Sequence, residues 1–394
     1  MILGAGTFAQ ASFSALSVGL PALAPALRTH YGLTLGETGV VLGAVGIGML
    51  LTLLPWGFLA DRISEQLVIA LGLVLAAAAL VLAGWTHAYA MLVLALLAAG
   101  AFGASVNAAS GRAVMGWFPA GQRGLALGVR QTAVPIGGAA AAAALPWLAD
   151  AGGTKLAFVV LGASCFAGGT VALAFIRTPP APAADLTNVR GPMRDLRMWI
   201  LGLGAGLYLT AQIAITGFIV LFLHEHRGVS SHSAALLLAG INVLGIGARV
   251  VSGRWSDRVH TRLRPIRQIG VALTVAMAIV AVATDAPLAL LVPALAVAGC
   301  LSMAWNGLAI AAAAETASGG RVGAAIGLQQ TLLGVLVAGV PPAFAAVASS
   351  SWRLAFALAA VGPAVGAVAL AWVPEPSRTR VRTRETSAMP PAAR

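Results

Sequence analysis

The sequence contains few charged residues and very few cysteines. Only 9% of its 394 residues are Asp, Glu, Lys or Arg, whereas a soluble domain contains about 25%. A soluble chain of this length would form two or three domains, and so few charged residues cannot supply the polar surface that each domain needs. The two cysteines, Cys165 and Cys300, both lie in apolar stretches, which excludes a disulfide framework and a cysteine-rich metal site. An ordinary soluble enzyme is therefore excluded.

Long apolar runs are what the sequence contains instead. Hydrophobic residues make up 59% of the chain and the mean hydropathy is +0.91. A helix of about 20 apolar residues crosses the hydrocarbon core of a bilayer. Such runs lie at 4–27, 37–60, 66–86, 89–114, 123–148, 154–176, 197–223, 232–254, 267–285, 287–314, 322–348 and 352–373. The sequence therefore predicts an all-α membrane protein with twelve transmembrane helices.

The runs fall into two groups of six. Residues 1–176 hold the first six runs and residues 197–373 the last six, and the segment 177–196 between them contains Pro179, Pro180 and Pro182. We interpret this segment as a cytoplasmic linker, and the tail 374–394, rich in Arg, Pro and Thr, as disordered. No basic segment precedes the first run, so we expect a retained span and not a cleaved signal peptide.

Most of the net charge of +12 falls on one side of the predicted membrane. With the N-terminus inside, the outer loops receive only Arg28, Lys155, Arg227 and Arg353, and all other loop and tail arginines lie inside. This bias predicts that both termini are cytoplasmic. The basic residues thus indicate a lipid bilayer as partner and no nucleic acid. We expect a monomeric multi-pass protein of the bacterial cytoplasmic membrane.

The two halves contain matching motifs. Gly57-x-x-x-Asp61-Arg62 follows the second run, and Gly253-x-x-x-Asp257-Arg258 follows the eighth, 196 positions later. Asn107 and Asn306 match at an offset of 199, as do the starts of the fifth and eleventh runs, which carry Arg130 and Gln329. Gln10 and Gln212 form a fainter pair. Six-helix halves repeated in parallel are typical of one architecture of secondary transporters.

With these motifs, all twelve runs resemble the major facilitator superfamily. The resemblance implies alternating access, with a substrate site near the midplane between the halves. It also implies that Asp61 lies by the eleventh helix and Asp257 by the fifth, where each carboxylate meets a positive helix N-terminus and gates the cytoplasmic side. Here residues 63–66 depart from the family's full loop motif. The stretches from Trp117 to Gly128 and from Trp305 to Gly307 are similar to branches that carry organic anions, nitrate and cyanate.

Two arginines lie inside predicted membrane helices, where an ionisable residue indicates function. Arg130 is seven residues into the fifth run, about 10 Å deep, and Arg249 reaches a comparable depth in the eighth. Their planar guanidinium groups suit a carboxylate, and the spacing of Arg249 resembles that of a substrate-binding arginine in monocarboxylate and oxalate carriers. The alternative is that each reaches the interface or bonds backbone carbonyls.

Uncharged polar residues in the spans are candidates to complete the substrate site, although buried amides also join helices structurally. They are Gln10, Gln212, Asn107, Asn306, Gln329 and Tyr208. The path-lining spans hold no acid at mid-depth, so proton coupling falls to a peripheral acid such as Glu315, which follows the tenth run. Anion exchange needs no such group.

The preferred hypothesis is a secondary transporter of a small organic anion of the carboxylate type, driven by proton symport or anion exchange. The alternative is an efflux pump for a drug or neutral compound in the same fold, although the first span has no acid and the fifth matches the antiporter pattern at Pro135 only in part. An enzyme or sensor is disfavoured, because no nucleophile–base set, metal-ligand spacing, nucleotide loop or output domain is present. No cofactor or metal is expected.

Overall fold

The computed structural model describes residues 1–117, 129–177, 194–317 and 322–375, apart from the side chains of 61, 111–116 and 322–324. Helices account for the secondary structure of these residues. In chain order they are α1 (Ile2–Ser17), α2 (Ala24–Tyr31), α3 (Leu35–Arg62), α4 (Glu65–Trp85), α5 (Tyr89–Trp117), α6 (Ala133–Phe175), α7 (Leu196–Gly206), α8 (Tyr208–Leu221), α9 (Ser231–Arg258), α10 (Leu263–Val282), α11 (Leu288–Ala304), α12 (Asn306–Thr316), α13 (Val322–Ala348) and α14 (Trp352–Ala371).

The described residues include eleven helical stretches that are long and apolar enough to cross a membrane. Large apolar side chains face outward, among them Leu54, Phe58 and Trp372, the last of them 80% exposed. An outer surface of this kind is stable against lipid and not against water. The chain is therefore a multi-pass membrane protein.

The count of eleven differs from twelve because α6 holds the predicted fifth and sixth runs in one element of 43 residues. A straight helix of that length would measure about 65 Å, twice the hydrocarbon core of about 30 Å. The backbone departs from helical geometry at Gly152 (φ −153°, ψ 24°) and Gly153 (φ 69°, ψ −176°). These two residues turn the chain between the two runs.

Four predicted spans are interrupted within the described residues. A short 3-10 segment, Leu20–Leu23, separates α1 from α2, and a single residue interrupts the helix at Thr132, at Leu207 and at Trp305. An interruption removes nearby carbonyls from the ladder of helical hydrogen bonds. At membrane depth each of these carbonyls must then find another donor.

Two apolar clusters form the interior. One consists of residues between Ala5 and Ile176. The other lies mainly between Met198 and Val373 and takes in Ala22, Ala24, Leu35 and Ala142 from the first half. Each half of the chain thus packs around side chains that are largely its own.

The halves meet along two pairs of helices, α3 with α13 and α6 with α9. Glycines allow the first pair to approach closely. A Cβ at Gly39 would overlap the Ala345 methyl group, and a Cβ at Gly43 would lie 3.1 Å from the Ala338 carbonyl oxygen. The start of α3, and with it this contact, lies at the end of the molecule that also carries α2 and the Gly152–Gly153 turn.

The turn at Gly153 predicts a specific loss of stability. Its backbone lies at φ 69°, ψ −176°, a region that is essentially restricted to glycine. Gly153→Ala should lower the free energy of unfolding by about 1–3 kcal/mol, measured as a lower melting temperature in detergent. Gly240→Ala in α9 is the control, because a Cβ there meets open space. Equal melting of the two variants would contradict a strained turn.

Candidate functional site

Arg130 lies just before α6 and is held by uncharged groups. Only 7% of the residue is exposed. Its Nε donates to Ser110 Oγ at 2.7 Å, and its Nη2 donates to Gln10 Oε1 at 2.9 Å. Its Nη1 lies 3.4 Å from Gln131 Oε1. No carboxylate in the described ranges forms an ion pair with this guanidinium.

Arg249 on α9 bonds two backbone carbonyls. Its Nη1 donates to the Gln131 oxygen at 3.0 Å, and its Nε donates to the Met303 oxygen at 3.3 Å. Gln131 belongs to the first half and Arg249 to the second, so the first of these bonds joins the halves. The open alternative in which an arginine bonds backbone carbonyls thus describes Arg249 in this structure.

Both carbonyls are available because the helical ladder is broken beside them. Pro135, four residues after Gln131, has no N–H to donate. Met303 and Ala304 immediately precede the interruption at Trp305, and the Ala304 oxygen accepts from Ser252 Oγ at 2.7 Å. Side chains of α9 therefore take the place of the missing helical donors.

Asn306 extends these contacts into the second half. Its Nδ2 donates to Gln212 Oε1 at 3.2 Å and lies 3.4 Å from the Met303 oxygen. A continuous set of polar contacts thus crosses the boundary between the halves. We call this set the central polar network, and its members are Gln10, Ser110, Arg130, Gln131, Arg249, Met303 (through its carbonyl), Asn306 and Gln212.

Three residues predicted for the site lie outside this network. Asn107 is half-buried on α5, one turn before Ser110. Gln329 is 1% exposed, and neither of its amide atoms has a hydrogen-bond partner within the described part of the chain. Tyr208 turns into the second half, where its hydroxyl donates to the Ile266 oxygen at 3.0 Å. We therefore leave Tyr208 out of the candidate site.

Three network members, Ser110, Gln131 and Met303, were not predicted from the sequence. Ser110 follows Asn107 by three residues, which places both on one face of α5. Gln131 neighbours Arg130, and the signal that could have found its carbonyl is Pro135, four residues later. Neither signal identifies the donor, because the donor comes from another helix.

The paired loop motif lies partly outside the described residues. These omit the side chain of Asp61 and all of 118–128, so the predicted contacts of Asp61 and Asp257 with the opposite half remain predictions. Gly57 and Gly253 are half-buried, and Arg62 and Arg258 are exposed. Asp257 accepts from Arg262 Nη1 at 2.8 Å within its own half.

Glu315 also pairs with Arg262, at 2.9 Å from Nε. Burial favours a lower pKa for Arg262, but hydrogen bonds and Coulomb attraction to Glu315 and Asp257 outweigh it and raise the pKa. Next to this cluster, Glu375 accepts from the backbone N–H groups of Arg262, Leu263 and Arg264 at 2.8–3.1 Å. Glu375 thus caps α10, and Glu315 lies outside the central polar network.

At the other end of the bundle two contacts between ionisable side chains join the halves. Arg28 of α2 pairs with Glu225, and His232 Nε2 lies 3.2 Å from Asp150 Oδ2. The His232 ring also packs on Trp147, with ring centroids 4.3 Å apart. We call Arg28, Trp147, Asp150, Glu225 and His232 the closed end. His224 and His226 flank Glu225 in the same region, and no cluster suited to a metal occurs in the described ranges.

Comparison with known proteins gives consistent matches. The family model described as Major Facilitator Superfamily matches residues 3–339. A protein of Mycobacterium tuberculosis strain H37Rv, described as an uncharacterized MFS-type transporter, is 32% identical over 374 residues, 92% of this chain and 83% of its own. A probable sulfoacetate transporter of Cupriavidus necator is 24% identical over 270 residues, 64% of this chain and 63% of its own.

Solved structures show the same fold. A bacterial homolog of the human lysosomal transporter Spinster, inward-facing and occupied, superposes with a TM-score of 0.76 at 17% identity and covers 94% of this chain and 96% of its own. A nucleoside transporter superposes with a TM-score of 0.72 at 14% identity, covering 93% and 98%.

The closed end predicts that the charges of Arg28 and Glu225 hold the halves together. A cysteine pair, Asp150→Cys with His232→Cys, reports closure through cross-linking by a short bifunctional thiol reagent. Adding Arg28→Glu sets two like charges opposite each other and should slow cross-linking about fivefold, the upper range for an exposed pair. The charge reversal Arg28→Glu with Glu225→Arg should restore the rate. Equal rates in all three backgrounds would show that this ion pair does not close the halves.

Proposed function

Since this chain belongs to the major facilitator superfamily, we propose that it is a secondary active transporter of a small organic anion, which it carries by alternating access of its two halves. One observation supports the anion above all others. Arg130 and Arg249 lie in one polar network, and their partners there are amide, hydroxyl and carbonyl groups.

Electrostatics makes this arrangement a site for negative charge. A buried cation is unfavourable unless it is paired, and neutral acceptors compensate it less well than a carboxylate does. An arginine offers two parallel N–H donors to a carboxylate or sulfonate. A small anion bridging Arg130 and Arg249 would therefore compensate both charges at once.

The uncharged network members have a supporting role in this proposal. Gln10 and Ser110 fix the direction of the Arg130 guanidinium. Gln212 and Asn306 bond each other on the second half, and they present amide groups to the uncharged part of a substrate. Asn107 and Gln329 stay candidates for the same role.

The distant relative in Cupriavidus necator also supports an anionic substrate. Its name gives sulfoacetate, an organic anion, as its probable substrate. The match covers less than two thirds of either chain, so it supports the charge of the substrate and not its identity.

We propose anion exchange in preference to proton symport. Glu315, the peripheral acid considered for proton coupling, bonds Arg262 beside Asp257, which favours a structural role. In proteoliposomes an imposed proton gradient should then drive no net uptake of the anion by the wild type, and Glu315→Gln should exchange internal for external anion as the wild type does. Net uptake that needs the proton gradient in the wild type and is lost in Glu315→Gln would instead indicate proton coupling through Glu315.

The gating role of the repeated motif also stays a proposal. In it, Asp61 and Asp257 bind the start of the opposite half's helix and close the cytoplasmic side, while Arg62 and Arg258 anchor the loops. Gly57 and Gly253 begin the two motifs, and a Cβ at either would meet open space in this structure.

We further propose twelve spans with both termini in the bacterial cytoplasm, because the Gly152–Gly153 turn divides α6 into two runs. Cysteines introduced singly for two exposed residues test this topology. Lys155→Cys should react with an impermeant maleimide in spheroplasts, whereas Arg258→Cys should react only after lysis. Labelling of Arg258→Cys in intact spheroplasts would reverse the proposed orientation.

The substrate proposal predicts that Arg249→Gln and Arg130→Gln abolish anion binding while the protein still folds. Binding stabilises the folded state by mass action, so acetate, lactate, oxalate and sulfoacetate are tested for a rise in the melting temperature of the purified protein. At least one should raise it in the wild type, and none should in either variant.

Arg254→Gln is the matched control, because Arg254 is exposed on the same helix as Arg249. It should respond to anions as the wild type does. Stabilisation of the wild type only by neutral or cationic compounds would instead favour an efflux pump.

A further inference from the structure

We infer that the hydrogen bond from Arg249 to the Gln131 carbonyl acts as a latch between the two halves. The carbonyl is free to accept this bond because Pro135 has no N–H to donate to it. The substrate anion opens the latch by drawing the Arg249 guanidinium away. The inference rests on the proposed function, since it takes Arg249 as an anion ligand. It adds a positioning residue, Pro135, and a route by which binding changes the contact between the halves.

The first step concerns the Gln131 carbonyl. In a regular helix this oxygen accepts from the N–H of residue 135, but proline has none. A buried carbonyl without a donor is costly. Within the described chain the donor that reaches it is Arg249 Nη1, at 3.0 Å. Pro135 therefore creates the acceptor that holds Arg249.

The second step concerns competition. Both Arg249 acceptors are neutral carbonyls, and the bond to Met303, at 3.3 Å, is long. An anion attracts the guanidinium through its full negative charge, which a neutral carbonyl lacks, and a carboxylate accepts from two parallel N–H donors at once. An arriving anion can therefore draw the guanidinium away from the Gln131 oxygen.

The third step is the consequence for the halves. The Arg249–Gln131 bond connects α9 of the second half to the segment before α6 of the first. Its loss removes one contact that favours the present arrangement and leaves the carbonyl to be solvated by another group. A ligand shifts a conformational equilibrium by its differential affinity for the two states. Here the anion binds less tightly to the present arrangement of the halves, because it must first break the Arg249–Gln131 bond, and it binds more tightly to an arrangement in which that bond is absent.

Pro135→Ala tests the latch without altering either arginine. It supplies the missing N–H, so the Gln131 carbonyl no longer needs Arg249. The dissociation constant for the anion that stabilises the wild type, taken from acetate, lactate, oxalate and sulfoacetate, should fall about tenfold, the value of a hydrogen bond to a charged group. Pro135→Gly also supplies the N–H and should act in the same direction if the alanine variant does not fold.

Pro146→Ala is the control, because Pro146 lies inside the same helix and its replacement restores a donor to Ala142, whose carbonyl is no partner of Arg249. It should leave the dissociation constant unchanged. The cysteine pair at positions 150 and 232 gives a second readout. The anion should slow its cross-linking in the wild type and in Pro146→Ala, and should have little effect on it in Pro135→Ala.

The outcomes separate the two proposals. If no anion stabilises the wild type, the proposed function fails and the latch fails with it. If anions bind through Arg249 but Pro135→Ala matches Pro146→Ala in affinity and in cross-linking, the latch alone is wrong.

Discussion

A backbone carbonyl at membrane depth must be hydrogen-bonded, and the central part of this molecule follows from that requirement. Breaks in the helices at Thr132, Leu207 and Trp305 interrupt the ladder that would otherwise bond these groups, and next to the first of them Pro135 has no N–H to donate. Two of the breaks release carbonyls that α9 then bonds through Arg249 and Ser252. The arginine that carries the proposed function is therefore also the donor that completes the backbone of its neighbours.

The same requirement explains which parts of the site could be predicted from the sequence. Arg130 and Arg249 were found because a charge inside an apolar run is conspicuous. The Gln131 carbonyl could not be found, since the bond depends on how α9 aligns with a helix of the other half. Tyr208 was assigned to the site because of its type and span. Only packing reveals that its ring turns toward Ile266 and Trp305.

The sequence also predicted the main features of the fold but not its details. Hydropathy located the apolar runs, and the repeat predicted two halves. The fifth and sixth runs were predicted to be separate, and the backbone leaves helical geometry between them at Gly152 and Gly153. The two halves also differ in hydrogen bonding at positions that the repeat matches. Arg130 bonds Ser110, whereas the position that matches Ser110 at the offset of 199 is Ala309, and Gln329, the counterpart of Arg130, has no hydrogen-bond partner in the described residues.

The short turn at Gly152–Gly153 also couples the positions of the two arms of α6. The first arm of α6, from Ala133 to Asp150, is about 26 Å long, and a contact with the second half lies near each of its ends, at the Gln131 carbonyl and at Asp150. Because only two residues connect the two arms of α6, a movement of the first arm also moves the second. If α6 moves as a rigid arm, a displacement where Arg249 meets the Gln131 carbonyl would tilt the far end, where Asp150 meets His232.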